Sequence, residues 1–384
     1  MVDESKKRFN VIAVVLDGVR FDRIKLLPNF RKLCNKGTLF SNMITYAPYT
    51  IASLHSIFTG AYGSENGVDN YYGSLSYKQK EFKTITEYLK EQDYFTFGDL
   101  INEVVTPRQG FSKLVLQGED YDFCGEHKKM LNEAKSVNKD NKSFFLFLHY
   151  SPVHNSLVKN VIKQFTDFDK KYFENKEGNL KKYDSYIKKA DKYLESIYNE
   201  IKKLNLFENS LIVFFSDHGS SIGEKIGERV YGSFCYDHTI KIFALFISPK
   251  GFPVKNVNKV TRGIDIMPTI LDIFGIDGEF SNKINGKSLM PLISDEEKEG
   301  RIAFSETGGL FGPYPSPKKP NVKAIRTQNW KLIYNLTPNT KELYNLVDDP
   351  FEINNLAGKG FQEEKKLWGI LKSKSQIDLI PPRI

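Results

Sequence analysis

The sequence predicts an α/β fold in which helices flank a mainly parallel central sheet, followed by a small C-terminal α+β subdomain. Short apolar runs alternate with helical patterns over the first part of the chain, as expected when a crossover helix joins each strand to the next. After this part, short strand-like segments follow one another directly. The apolar runs of the first part are Phe9–Leu16, Phe144–Tyr150, Leu211–Phe215 and Ile242–Ser248.

The first apolar run, Phe9–Leu16, is rich in valine and ends at Asp17. A continuous apolar run of this length is typical of a strand that is buried on both faces of a parallel sheet. Between the runs we predict helices over Glu81–Glu91 and Leu180–Leu204. The second of these has apolar residues at three- and four-residue spacing, which indicates a helix with one buried face.

A stretch rich in Gly, Pro and Ser, Gly308–Pro320, interrupts this alternation. Three strand-like segments and a helix follow it and predict the C-terminal subdomain. We therefore expect a large domain over residues 1–300 and a small subdomain over residues 301–384 that completes the fold. The segments of the subdomain are Val322–Thr327, Trp330–Leu336, Glu342–Leu346 and the helix Glu363–Ser373.

The composition excludes several classes of protein. The chain has 384 residues, of which 40% are hydrophobic, so it can bury a large core and is not disordered. Its net charge of +8 fits either an anionic partner or lysine-rich helices facing solvent, and no basic stripe interleaved with aromatic residues predicts nucleic-acid binding. The three cysteines, Cys34, Cys124 and Cys235, have the spacing of neither a disulfide framework nor a metal knuckle.

The sequence also carries an expectation about location. The N-terminal residues are charged and have no apolar stretch behind them, so we expect no secretory signal. The longest apolar runs are far shorter than the roughly 20 residues that span a bilayer. We therefore expect a cytoplasmic protein without a transmembrane segment. Its oligomeric state is unknown from the sequence.

Polar side chains follow the apolar runs at the points where strands should end. Asp17 follows the first run, His149 and His154 lie at the end of the second, and Asp217-His218 follows the third. Because the carboxyl ends of parallel strands share one edge of a sheet, these side chains should lie close together. Carboxylates and imidazoles gathered there would repel or stay unpaired unless a cation joins them. A metal site is one interpretation, and a turn or helix-cap role for the aspartates is the other.

The segment Ala47–Gly60 places a hydroxyl residue at the start of a helix. Pro48 precedes Thr50 closely, and apolar residues follow at helical spacing. Thr50 or Ser53 then lies at the helix N-terminus, where hydroxyl residues commonly cap a helix. The same position suits a chemical role, because backbone N–H groups at a helix N-terminus favour an anion and a hydroxyl there can act as a nucleophile.

These blocks resemble the alkaline phosphatase superfamily, in particular its sulfatase-like branch of sulfatases, phosphonate monoester hydrolases and phosphodiesterases. The resemblance covers nearly the whole chain in the expected order, beginning with the strand before Asp17, the helix near Thr50 and the Ser216–Gly219 loop. The ordered set is far more specific than any single block. The other similar blocks are Asn66–Val68, Gly223-Glu224, Tyr236–Ile242, Asp265–Asp272, Gly286–Leu289, Trp330-Lys331, Glu342–Leu346 and Asp349–Glu352.

The resemblance implies roles for individual residues. Asp17, Thr50, Asp217 and His218 would hold one divalent metal ion. Thr50 would be the nucleophile, and His154 and His238 would face the transferred group or protonate the leaving oxygen. For His238 a purely structural role, with its ring bonded to neighbouring polar groups, is the alternative.

The chain departs from the sulfatase pattern at three places. Sulfatases carry Cys or Ser at the nucleophile position, followed by Pro and Arg, whereas this chain has Thr50, Ala52 and Leu54. Threonine is a secondary alcohol and cannot become the formylglycine aldehyde. His218 stands where calcium-binding sulfatases carry Asn, so we expect Mn²⁺ or Zn²⁺ rather than Ca²⁺ or Mg²⁺. Tyr150 stands where two-metal members carry Asp, so we expect a single ion.

These departures favour a metal-dependent hydrolase of phosphate esters, either phosphodiesters or small phosphomonoesters, with Thr50 as the nucleophile. Three alternatives stay open: a sulfatase-like hydrolase of sulfuric esters, a phosphoryl-group transferase of the phosphoethanolamine type, and a catalytically silent sulfatase-like scaffold. The expected partner is a small anionic ester derived from a glycan or a lipid headgroup, and no nucleic acid is expected.

Overall fold

The computed structural model describes residues 9–118, 121–138, 142–162, 170–248, 252–276, 284–310 and 312–375. The expectation about a secretory signal concerns residues 1–8, and the expected subdomain ends with residues 376–384; both segments lie outside the described ranges. Within those ranges, no helix combines the length and the hydrophobicity that crossing a membrane requires.

The described residues form two sheets and the helices that cover them. The strands are β1 (Asn10–Leu16), β2 (Thr38–Ile44), β3 (Phe95–Leu100), β4 (Lys113–Leu116), β5 (Phe144–Tyr150), β6 (Ser210–Phe215), β7 (Lys241–Ile247), β8 (Lys255–Val257), β9 (Thr261–Arg262), β10 (Ala303–Thr307), β11 (Val322–Arg326), β12 (Trp330–Asn335) and β13 (Thr340–Asn345). The helices are α1 (Pro28–Cys34), α2 (Thr50–Thr59), α3 (Gly63–Asn66), α4 (Ile85–Glu91), α5 (Phe123–Val137), α6 (Pro152–Leu157), α7 (Lys170–Glu174), α8 (Lys176–Lys203), α9 (Asp237–Ile240), α10 (Ile266–Ile273), α11 (Met290–Ile293) and α12 (Gln362–Ser375).

The larger sheet confirms the predicted mainly parallel architecture. Its strand order is β4-β3-β5-β1-β6-β7-β2-β8, and β9 pairs with β2. Strand β7 runs antiparallel to both of its neighbours, β6 and β2, whereas the other strand pairs described in this sheet are parallel. Strands β2 and β3 are not among the predicted strands, because Ser41-Asn42 and Gly98-Asp99 interrupt their apolar runs.

The strands of this sheet are buried on both faces, which explains why they form continuous apolar runs in the sequence. Successive side chains of β1 alternate between two cores. Ile12 and Val14 pack on one face with Ile187 of α8, and Val11 packs on the other face with Leu54 of α2. The helix layers on both faces therefore hold β1 at the centre of the molecule.

Two predicted helices begin at different residues in the structure. Helix α4 begins at Ile85 rather than Glu81, because Thr84 caps it: the Thr84 side chain accepts from the backbone N–H of Glu87, and the Glu87 carboxylate accepts from the backbone N–H of Thr84. Helix α8 begins at Lys176, one turn before the predicted start at Leu180, and its apolar stripe packs against the sheet as the spacing predicts.

The smaller sheet confirms the predicted C-terminal α+β region. Strands β10 to β13 form an antiparallel sheet, and Leu367 and Leu371 of α12 pack against it. Lys331 of β12 is fully buried and forms ion pairs with Asp237 of α9 at 2.9 Å and with Glu352 at 2.7 Å. This network joins the smaller sheet to the larger part of the molecule. The domain boundary near residue 300 stays a prediction.

Candidate active site

The register of the central strands brings the predicted acidic residues together. Leu16 pairs with Tyr150 of β5, and Val15 pairs with Phe215 of β6, so the residues that follow these strands lie at one edge of the sheet. Asp17 directly follows β1, Asp217 is the second residue after β6, and both are almost completely buried. Backbone N–H groups position Asp217, because its Oδ1 accepts from Gly18 at 3.2 Å and from His218 at 2.9 Å.

Gly18 makes this close approach of the two strand ends possible. Its φ of +75° lies in the left-handed region, which glycine adopts without strain. A Cβ atom at this position would also lie 3.2 Å from the Oγ of Ser220, a tight contact. The Asp-Gly sequence after β1 therefore serves the site through its backbone as well as through its carboxylate.

Helix α2 delivers Thr50 to the same edge. Tyr49 occupies the N-cap position, so Thr50 is the first residue of the helix, and its Oγ1 lies 3.2 Å from Nε2 of His218 and 3.4 Å from Oδ2 of Asp17. Ser53, the other hydroxyl considered from the sequence, points elsewhere. Its Oγ donates to the main-chain carbonyl of Asp217 at 2.8 Å and contacts Oγ1 of Thr45 at 2.7 Å, so it supports the loop that carries Asp217.

Strand β5 and helix α6 add two histidines to the cluster. Nε2 of His149 lies 2.9 Å from Oδ2 of Asp17, and Nδ1 of His154 lies 3.2 Å from Oδ1 of the same carboxylate. His149 is fully buried, whereas His154 is partly exposed towards a pocket. Asp17 is thus contacted by imidazoles on both carboxylate oxygens.

The charges of the site strongly perturb the pKa values of its groups. Burial acts to raise the pKa of Asp17, but the imidazoles of His154, His149 and His218 outweigh it and hold this pKa well below its ordinary value. Burial and the negative charge of Asp17 raise the pKa of Asp217. Burial acts to lower the pKa of His218, but the two carboxylates outweigh it and raise this pKa to about 9. The carboxylates thus concentrate negative charge where a cation would be stabilised.

The donor atoms of this cluster fit a divalent metal ion. Ligand atoms of Asp17, His154 and His218 all lie within 4.8 Å of one another. Nδ1 of His218 lies 2.7 Å from the carbonyl oxygen of Gly219 and donates to it, so Nε2 is the ring nitrogen that faces the site. Oδ2 of Asp217 is buried, finds no hydrogen-bond partner among the described residues and lies 3.7 Å from Nε2 of His218. A bound cation would be a partner for both Oδ2 of Asp217 and Nε2 of His218.

The structure therefore assembles all four residues predicted as metal ligands, Asp17, Thr50, Asp217 and His218, at one edge of the sheet. It also places His154 close enough to Asp17 for both residues to be ligands of one ion. The sequence predicted that His154 acts on the reacting group. Their roles as ligands or catalysts stay predictions. His149 was noted at the end of its strand in the sequence without being assigned a role. Its contact with Asp17 depends on the register of β5 against β1, which the structure shows.

The structure does not bring His238 into the cluster of Asp17, His154 and His218. Its Nε2 lies 2.9 Å from the carboxylate of buried Glu228, and its ring stacks on Tyr236 at 5.7 Å between centroids. This arrangement matches the structural alternative, and the catalytic role of His238 stays a prediction.

Other polar residues have local partners. The amide of Asn70 donates to Asp69 at 2.6 Å. Arg20 forms ion pairs with Asp22 and Glu224. Lys225 donates to the carbonyl of Glu352, and Arg229 donates to that of Val161.

A pocket of about 70 Å³ opens beside the cluster. Sequence reasoning missed the two tyrosines, Tyr71 and Tyr231, that border it, because neither belongs to a block with a recognisable spacing. Together the polar residues and the aromatic residues form a small, partly enclosed cavity. The lining residues are Asp17, Tyr49, Thr50, Ile51, Tyr71, Ile101, Asn102, Val105, His154 and Tyr231.

Comparison with known proteins identifies relatives of this chain. The profile of the Sulfatase family matches residues 10–276, and the profile described as N-sulphoglucosamine sulphohydrolase, C-terminal, matches residues 230–376. A curated relative, the N-acetylglucosamine-6-O-sulfatase of Bacteroides thetaiotaomicron, is 27% identical over 161 residues. The match covers 40% of this chain and 27% of that relative, so the chain spans only about a quarter of its length.

Solved structures share the fold over nearly the whole chain. A protein solved in complex with its substrate, D-glucosamine-2-N,6-O-disulfate, has a TM-score of 0.75 and 19% identity, covering 96% of this chain and 98% of that chain. The phosphonate monoester hydrolase of Agrobacterium radiobacter has a TM-score of 0.74 and 16% identity, covering 96% and 95%. These structures share the fold, and the Sulfatase profile confirms the predicted resemblance to the sulfatase-like branch.

The same comparisons contradict one prediction. Threonine at position 50 favoured phosphate esters, but the matching relatives and family descriptions are those of sulfatases and sulphohydrolases. The prediction of a phosphate ester hydrolase is wrong, because the chemistry of a single side chain is weaker evidence than a match over residues 10–276. The Sulfatase profile extends over well over half of the sequence, and the chain belongs to the Sulfatase family.

Proposed function

We propose that this protein is a divalent-metal-dependent hydrolase of sulfuric esters that acts on a sulfated sugar. The observation that carries the proposal is the convergence of Asp17, His154, His218 and Thr50 beside the small pocket. The sulfated-sugar substrate is supported by the name of the N-acetylglucosamine-6-O-sulfatase relative and by the disulfated glucosamine bound to the structural neighbour.

The proposed ion is held by Asp17, His154 and His218, with Asp217 and Thr50 beside them. Imidazole donors combined with carboxylates favour Mn²⁺ or Zn²⁺ over Ca²⁺. A divalent ion at such a site acts as a Lewis acid, which stabilises negative charge on ester oxygens and lowers the pKa of a nearby hydroxyl.

In the proposed reaction, Thr50 is the nucleophile. Its Oγ1 lies at the N-terminus of α2, where the helix dipole favours a bound anion. The oxygen of Thr50 forms a bond to sulfur, the bond from sulfur to the sugar oxygen breaks, and the proton lost by the Thr50 hydroxyl balances the proton that the sugar oxygen takes up. Water then attacks the sulfur of the sulfo-threonine and releases sulfate and Thr50.

The threonine does not exclude sulfate chemistry. A sulfo-threonine is itself the sulfate ester of an alkyl alcohol, so its hydrolysis by cleavage of the sulfur–oxygen bond belongs to the same reaction class as hydrolysis of the substrate. The formylglycine aldehyde provides a different way to release sulfate, and this chain does not need it if water reaches the sulfur.

The test is a matched assay of sulfate release. The purified protein, stripped of metal and resupplied with Mn²⁺ or Zn²⁺, is given N-acetylglucosamine 6-sulfate and the corresponding 6-phosphate. We expect sulfate release that depends on the metal. Phosphate release without sulfate release, or sulfate release that survives chelation, would overturn the proposal.

A further inference from the structure

The loop that precedes α9 runs past the candidate active site with an unusual backbone. Val230 has a φ of +71°, in the left-handed region, although it is β-branched and fully buried. A β-branched residue is strained there, and such strain persists only where the surrounding structure imposes it. The backbone N–H of Ser221 donates to the carbonyl of Val230 at 2.5 Å and holds this conformation.

The strained residue places Tyr231 against the two histidines of the cluster. The ring centroid of Tyr231 lies 5.0 Å from that of His154 and 5.1 Å from that of His218. Its Oη lies 3.4 Å from Nε2 of His154, the ring nitrogen opposite the one that faces Asp17. Tyr231 therefore covers the histidines on the pocket side.

The C-terminal sheet fixes the other end of this loop segment. Oγ1 of Thr307, the last residue of β10, donates to the carbonyl of Gly232 at 2.6 Å. Gly309 packs so closely on Gly232 that a Cβ atom at Gly309 would lie 2.1 Å from the Gly232 carbonyl oxygen. Tyr231 is thus held from both sides, by Val230 before it and by the β10 contacts after it.

A second tyrosine lines the same pocket. Tyr71 and Tyr231 both border the cavity beside Asp17 and Thr50. A phenol hydroxyl is a hydrogen-bond donor as well as an acceptor. Both side chains are therefore available to a group that is bound in this cavity.

The order of these contacts gives the hydrogen bonds a direction. When Nδ1 of His154 faces the cation site as a ligand atom, Nε2 carries the ring proton and donates to Tyr231. Tyr231 accepts this bond, and its own hydroxyl proton, like that of Tyr71, is left to an acceptor in the pocket. An anionic oxygen is the strongest such acceptor.

We propose that Tyr231 and Tyr71 form a two-hydroxyl subsite that donates a hydrogen bond to an oxygen of the bound sulfuryl group. This inference rests on the proposed function and adds to it the residues that recognise the anion. In this subsite Tyr71 and Tyr231 both contact the substrate, and His154 orients Tyr231.

The test compares Tyr71→Phe and Tyr231→Phe with Tyr72→Phe. Tyr72 is the matched control because it is adjacent in sequence but 55% exposed and absent from the pocket lining. Binding of inorganic sulfate to the Mn²⁺-supplied protein is measured by calorimetry, together with KM and kcat for N-acetylglucosamine 6-sulfate. We expect the sulfate Kd and the KM to rise about 10-fold in Tyr71→Phe and in Tyr231→Phe. The reason is that each variant loses a hydrogen bond to a charged acceptor. Tyr72→Phe should match the wild type.

The outcomes separate this inference from the proposed function. If the wild type binds sulfate and the two pocket variants weaken it, the subsite stands even when no sulfate ester is hydrolysed, and only the proposed function fails. If the wild type hydrolyses the ester but both variants keep its sulfate Kd within twofold, the subsite is overturned. Absence of sulfate binding by the wild type overturns it as well. Thermal melting checks that the three variants fold alike.

Discussion

Nε2 of His149 lies 2.9 Å from Oδ2 of Asp17, on a fully buried side of the candidate metal site. The contact links the end of β5 to the residue after β1, so the parallel register of these two strands orients the carboxylate. His154 contacts the other oxygen of Asp17, which leaves the carboxylate little freedom to rotate.

This contact predicts a role for His149 in metal affinity. His149→Gln should lower the affinity for Mn²⁺ by about 10- to 100-fold, because Asp17 loses a partner that orients it. The matched control is His127→Gln. His127 is equally buried and pairs with Asp99 at 3.0 Å, away from the cluster, so its substitution should affect stability but not metal affinity. Calorimetric titration with Mn²⁺ measures both, and equal affinities in the two variants would contradict the role of His149.

Metal content tests the ligand set directly. We expect about one equivalent of divalent ion per chain, lost in Asp17→Asn and in His218→Ala because these residues contribute the most buried donor atoms. Elemental analysis after dialysis measures the content. The control is His238→Ala, whose ring pairs with Glu228 and should leave the content unchanged. Two equivalents in the wild type, or loss of metal in the control alone, would argue against this ligand set.

Thr50 and Ser53 should respond differently to loss of their hydroxyls. Thr50→Val keeps the shape of the side chain and should abolish activity with little change in stability, because the hydroxyl faces the site. Ser53→Ala should retain activity but lose about 1 kcal/mol of stability, because its buried hydroxyl donates to the carbonyl of Asp217. Mass spectrometry of the trapped intermediate should find the sulfuryl group on the peptide that contains Thr50. Wild-type turnover by Thr50→Val would exclude it as the nucleophile.

The buried pair of Arg20 and Glu224 predicts a dependence of stability on pH. Burial acts to raise the pKa of Glu224, but Arg20 outweighs it and lowers this pKa from 4.5 to about 2. A depressed pKa stabilises the fold above the unfolded value, and this contribution is lost as the pH falls from about 4.5 to about 2. In Glu224→Gln that loss should be absent, so the melting temperature should fall less steeply over this range. Glu103→Gln, in an exposed pair with Arg108, should follow the wild type.

The buried network around Lys331 predicts a large stability effect. Lys331→Met should destabilise the protein by about 3–5 kcal/mol, because it leaves Asp237 and Glu352 buried without their shared partner. Lys113→Met removes one member of an exposed pair with Glu133 and should cost less than about 1 kcal/mol. Denaturant unfolding measures both free energies, and similar losses in the two variants would contradict the importance of burial.

Several features of this protein were determined by local sequence. The apolar runs predicted β1, β5, β6 and β7, because strands buried on both faces need apolar residues at every position. Asp17 and Asp217 were predicted at the sheet edge because each lies within two residues of the end of such a run. Thr50 was predicted near a helix start because the helical spacing begins there.

Other features were decided only by the tertiary structure. The antiparallel direction of β7 depends on its pairing with β2 and β6, which no local pattern in the sequence specifies. The contact of His149 with Asp17, and the place of Tyr231 over His154, join residues far apart in the chain. The sequence around His238 does not distinguish a histidine that faces a substrate from one that pairs with a neighbouring side chain. In the folded chain the ring of His238 lies against Glu228. The physical reason is that the positions of strands and helices follow from the local pattern of apolar and polar residues. The contacts of a catalytic side chain depend instead on the register of strands that are distant in sequence.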